Sequence, residues 1–148
     1  MNVVTIDLSA QLYELSGWED TTFVHRETYS IYRTPEFRFA VIRRTGLTKP
    51  FLKDWDMNDV EEYKQYVPAY DLGYLLRKLP HYVENGIYAG YLSLDCGTEA
   101  WRIAYADVSH AFVVGSGEWT DTPEDATAKL AISLFEQGVL KKEGQDNE

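Results

Sequence analysis

The chain has 148 residues, 45% hydrophobic and 14% aromatic, which fits one globular domain with a real core and excludes a disordered chain. Fourteen basic and 24 acidic residues give a formal charge of −10. No apolar run approaches the ~20 residues of a membrane helix, the opening MNVVTIDLSA lacks a secretory-signal pattern, and one cysteine, Cys96, excludes an intrachain disulfide and a cysteine-built zinc site. We therefore expect a cytoplasmic protein without membrane contact: one domain over residues 1–140 and a frayed polar tail over 141–148.

Residues 7–16 predict a first helix, with Leu8, Leu12 and Leu15 on one face, Thr5 or Asp7 as cap and Gly17 as stop. From Thr22 to Arg44 the β-branched and aromatic residues predict two or three antiparallel strands, with a turn at Thr34-Pro35-Glu36. Residues 45–70 are irregular. Gly46, Pro50 and Pro68 punctuate them, and the acidic stretch DWDMNDVEEYKQY reads as a short helix starting near Asn58 or Asp59, or as a flap. Asp71 caps a helix over 71–79 whose stripe is Leu72, Leu75, Leu76 and Leu79, and Pro80 stops it. Three β-like runs follow, IYAGYLSLD, AWRIAYA and HAFVVG. Asn85-Gly86 precedes the first, Cys96-Gly97-Thr98-Glu99 joins the first two, and Trp101, Ile103 and Tyr105 share a face of the second.

The stretch 122–137 carries the clearest signals in the chain. Thr122 is a natural N-cap, Pro123 takes the first helical position, and Glu124 and Asp125 face the positive end of the dipole. Ala126, Leu130, Ala131, Leu134 and Phe135 recur at helical spacing, and Gly138 suits a left-handed stop. The expected fold is α+β: an antiparallel sheet of about five strands with helices at about 7–16, 71–79 and 122–137 packed mainly on one face.

The C-terminal half resembles uncharacterised small proteins encoded by bacteriophages and prophages. The matching pieces are Leu75-Leu76-Arg77-Lys78-Leu79-Pro80, the aromatic strands bearing Trp101 and Tyr105, and Thr122 to Leu134, which fits T-x-x-D-A-x-x-x-L-A-I-x-L. The opening ID-LSAQLYELSGW is similar to the start of such proteins, whereas residues 22–70 match no pattern. The resemblance implies a mobile-element origin and life in a bacterial cytoplasm. It brings no catalytic residue and no cofactor.

The residues show no catalytic signature. His25, His81 and His110 are scattered without metal-ligand spacing, so no metal is expected. Cys96 has no cationic neighbour in sequence and reads as buried or inert. Ser116 in Gly-Ser-Gly is not a nucleophile elbow, and phosphate-loop motifs are absent. The expectation is a non-enzyme without cofactor. Its first functional reading is a mobile-element accessory protein that counters host defence by binding a host macromolecule, expected to be a protein, through an acidic, aromatic-rich surface centred on Asp54, Asp56, Asp59, Glu61 and Glu62. The alternative is a small-ligand or nucleotide binder using Arg26, Arg33, Arg38, Arg43 and Arg44 among aromatics in 22–53. That segment holds seven basic and two acidic residues, a balance of +5, which leaves −15 for the remainder. The acidic remainder repels phosphate and argues against nucleic acid as a partner, while the asymmetry permits head-to-tail self-association.

Overall fold

The computed structural model describes residues 2–30, 36–44, 62–85, 88–107, 112–114 and 118–143. Among these residues, three helices and seven strands follow in chain order: α1 (Ile6–Ser16), β1 (Phe23–Ser30), β2 (Glu36–Arg43), β3 (Glu62–Ala69), α2 (Leu72–Lys78), β4 (Tyr82–Asn85), β5 (Tyr88–Cys96), β6 (Trp101–Ala106), β7 (Phe112–Val114) and α3 (Pro123–Glu136). The fold is α+β, as expected, but the strands divide between two sheets and do not form a single sheet of five. Sheet A has the order β2-β1-β3 and sheet B the order β4-β5-β6-β7, all antiparallel. The outer strands β4 and β7 also meet, so sheet B curls on itself.

Two strands were not legible as strands. β3 occupies ground read as a short acidic helix or a flap, and Pro68, read as a breaker, lies inside it. The strand sits at the edge of sheet A, where proline's missing donor costs no ladder bond if it faces outward. β4 is a four-residue strand paired to β5 from Tyr82↔Tyr91 to Asn85↔Tyr88, too short to show a period.

The caps behave as their chemistry requires. The Asp71 carboxylate accepts from Tyr74 N at 2.7 Å, and Thr122 Oγ1 accepts from Asp125 N at 3.1 Å. Gly17 closes α1 at φ 70 and Gly138 follows α3 at φ 77, both in the left-handed region that favours glycine. Thr5 makes no side-chain cap to α1. Its backbone N–H donates instead to the Asp125 carboxylate at 2.9 Å, tying the start of α1 to the start of α3.

α3 is not a helix laid on one sheet face. Ala126, Thr127 and Ala128 are all buried, and so are Leu130, Ala131 and Ile132, which wraps burial around most of the helix. α1, α2 and β6 surround it. Its three alanines let those neighbours approach closely, while Leu130 and Leu134 fill the core with Leu12, Leu75, Ile103 and Tyr105. Trp18 adds an edge-on contact to the Phe135 ring at 5.2 Å. The tail starts ordered: Glu143 N donates to Ser16 O at 2.9 Å, and its carboxylate accepts from Lys78 Nζ at 3.1 Å. Fraying from residue 141 is therefore corrected for Lys141–Glu143.

Sheet A meets the helical layer through one end. His25 is buried there, with Nε2 2.8 Å from Val4 O and 3.4 Å from Ser9 Oγ. A carbonyl only accepts, so Nε2 carries hydrogen in this contact. Burial holds the His25 pKa below the usual histidine value, against the opposing pull of the Val4 carbonyl. The unfolded chain therefore takes up a proton near pH 6.5 that the folded chain refuses, and stability falls as pH drops from about 7 through the lowered value. Glu27, on the same face, has its pKa raised by burial and by Asp7, and contributes in the opposite sense. Urea midpoints between pH 7 and 5 are expected to decline less in His25→Gln than in the wild type, because the amide still donates to Val4 but does not titrate.

Candidate functional site

Strand register decides which sequence candidates meet. In sheet A, Arg26 stands opposite Ala40 and Tyr66, and Thr28 stands opposite Arg38 and Lys64. Directly opposed residues of antiparallel strands point to the same side, as do residues two apart. Arg26, Thr28, Arg38 and Lys64 thus share one face, the reverse of the one on which His25 meets α1. They line a cavity of about 150 Å³ together with Phe39 and Ala40. Arg38 and Lys64 flank Thr28 on its two neighbouring strands, so their Cα atoms stand roughly 10 Å apart. Arg26 precedes Thr28 by two residues on β1 and completes a triangle of cations. Its Nε atom is buried and has no hydrogen-bond partner.

The other arginines go elsewhere. Arg43 lies on the opposite face with its guanidinium 5.4 Å from the Phe23 ring centre, and Arg44 donates to the Glu19 carbonyl beyond the strand end. Arg33 lies outside the described residues. Of the acidic set, Asp54, Asp56, Asp59 and Glu61 also lie outside them, and Glu62 opens β3 opposite Ser30. Lys64 and Thr28 were missed. The alternation Lys64, Tyr66, Pro68 was the available signal, hidden because the stretch before it reads as an acidic helix.

Other groups are structural. Burial raises the Tyr70, Tyr74 and Tyr105 phenols above their ordinary range, which keeps them hydrogen-bond donors. Tyr70 donates to Trp18 O at 2.6 Å, Tyr105 to Pro80 O and Tyr74 to the Asp20 carboxylate. Cys96, read as buried or inert, is exposed, with its thiol turned toward Gly97 O at 3.4 Å. Among the described residues no His, Cys, Asp or Glu cluster has metal-binding form, and no helix is long and apolar enough to cross a membrane. A larger cavity, about 300 Å³, lies between α1 and α3, but Lys129, the one cation lining it among the described residues, already pairs with Glu118 at 3.4 Å.

No protein-family model matches the chain, and no curated protein or solved structure is significantly similar to it.

Proposed function

We propose that the protein works by binding and that sheet A receives an anionic, phosphate-bearing ligand on its cationic face. The observation that carries this reading is the convergence of Arg26, Arg38 and Lys64 around the cavity, with the Arg26 Nε–H left unpaired. Guanidinium forks suit phosphate oxygens, and Thr28 adds a hydroxyl donor between them. Size narrows the ligand. Pockets that enclose small molecules hold roughly 300–1,000 Å³, so a cavity of about 150 Å³ admits a phosphoryl group and leaves the rest of a nucleotide on the open sheet. Thermal unfolding with inorganic phosphate, pyrophosphate and a nucleoside triphosphate, each against chloride at matched ionic strength, tests this. Ligand at 100 times its dissociation constant is expected to add ~2.7 kcal/mol. A midpoint unmoved by all three rejects the reading.

A second reading rests on charge. An acidic surface on a protein of net charge −10 can occupy a basic channel of a host macromolecule, in keeping with a mobile-element origin. Recovery of a stoichiometric partner from bacterial lysate at low salt, lost at high salt, is its expected result. Absence of such a partner counts against it.

A further inference from the structure

The two edges of sheet A differ in how they are protected. Edge strands are natural templates for pairing, and proteins blunt them with lysine, proline or bulges. β3 carries Lys64 and Pro68. β2, Glu-Phe-Arg-Phe-Ala-Val-Ile-Arg, has no lysine, proline or glycine, and pairs with β1 through eight consecutive positions without a register shift. It also exposes a row of large apolar side chains: Phe37 is 56%, Phe39 61% and Val41 40% exposed. Among the described residues, no strand lies on its outer side.

Backbone direction follows from the ladder. Arg44 N donates to Thr22 O at 2.8 Å, continuing the β1–β2 register by one pair. Hydrogen-bonding direction alternates along an antiparallel strand, so Ile42, Ala40, Arg38 and Glu36 turn their peptide groups toward β1. Phe37, Phe39, Val41 and Arg43 then turn theirs outward.

We infer that β2 is a homodimerisation edge, pairing antiparallel with β2 of a second copy so that two three-stranded sheets join into one of six strands. The strand's own charges choose the register. With Ala40 opposite Ala40 at the two-fold axis, Phe39 faces Val41, Phe37 faces Arg43, Arg38 faces Ile42, and Glu36 faces Arg44. Every outward peptide group in the strand then meets another outward group, and an acid meets a base at each end. Centring on Val41 instead sets Arg38 against Arg44, a like-charge pair. Centring on Phe39 sets Glu36 against Ile42, so the acid meets no base. This arrangement is isologous, so it closes at two copies, unlike head-to-tail association.

Light scattering on the eluting full-length chain reads the result. Two chains of 17.0 kDa are expected across the micromolar range, and a single-chain mass throughout overturns the inference. Val41→Pro removes an outward N–H and no β1 ladder bond, and is expected to give monomer with unchanged circular dichroism. Glu36→Arg creates two like-charge pairs per dimer and is expected to raise the dissociation constant about tenfold. Adding Arg44→Glu to that variant is expected to restore it. A dimer indifferent to all three substitutions places the interface elsewhere and overturns the assignment to β2.

Discussion

Leu134→Ala is expected to lower the unfolding free energy by about 2–5 kcal/mol. Leu134 is fully buried in the last turn of α3, in the same cluster as Leu12, Leu75, Leu130 and Tyr105. A domain of this kind is stable by about 5–15 kcal/mol in all, so one side chain carries a large share. The upper part of the range applies if the neighbours cannot close in, and α3 is walled by α1, α2 and β6. The backbone anchors survive the substitution, because Val139 N and Leu140 N donate to the Leu134 carbonyl at 2.9 and 3.2 Å whatever the side chain. Urea unfolding should show a lower midpoint with an unchanged slope. Glu136→Ala, at an exposed position of the same turn, should stay within about 0.5 kcal/mol of the wild type. A loss below about 1 kcal/mol for Leu134→Ala would mean that α3 is not enclosed as described.

That helix also shows where sequence patterns stop. Thr122, Pro123 and Gly138 marked its ends because capping is a local matter of orphan donors and backbone sign. The stripe at Ala126, Leu130, Ala131 and Leu134 was right, yet it described one face of a helix buried on several. Thr127 and Ala128 carry no apolar signal strong enough to reveal a second face, and their burial depends on α1 and α2 arriving from distant sequence. Sheet partition was hidden for the same reason. Nothing in β1 or β5 states that α2 and the tertiary packing place them in different sheets. The face shared by Trp101, Ile103 and Tyr105 was legible because period-two alternation is local. The cationic cavity was half legible. Arg26 and Arg38 were named for their chemistry, but only pairing register separates them from Arg43 on the reverse face and adds Lys64 from thirty-odd residues away.

Arg26→Met is expected to move stability and binding in opposite directions. The Arg26 Nε–H is buried without a partner, an arrangement that costs on the order of 1–3 kcal/mol in a folded protein. Methionine keeps an unbranched apolar stem of similar length and removes the donor, so the ligand-free variant should be more stable, by about 1 kcal/mol since the residue is only partly buried. Binding should suffer instead. A hydrogen bond to a charged group is worth about 1.5–3 kcal/mol, so phosphate affinity should fall about 10- to 100-fold. Arg38→Met provides the contrast. Arg38 is exposed, so its loss should leave stability within about 0.5 kcal/mol while still weakening phosphate. The pair of signs is what distinguishes a binding group from a structural one: an arginine kept for packing would lower stability when removed and leave titration with phosphate unchanged. Proteins retain destabilising groups where function requires them, and a less stable Arg26→Met that binds phosphate as the wild type does would remove Arg26 from the site.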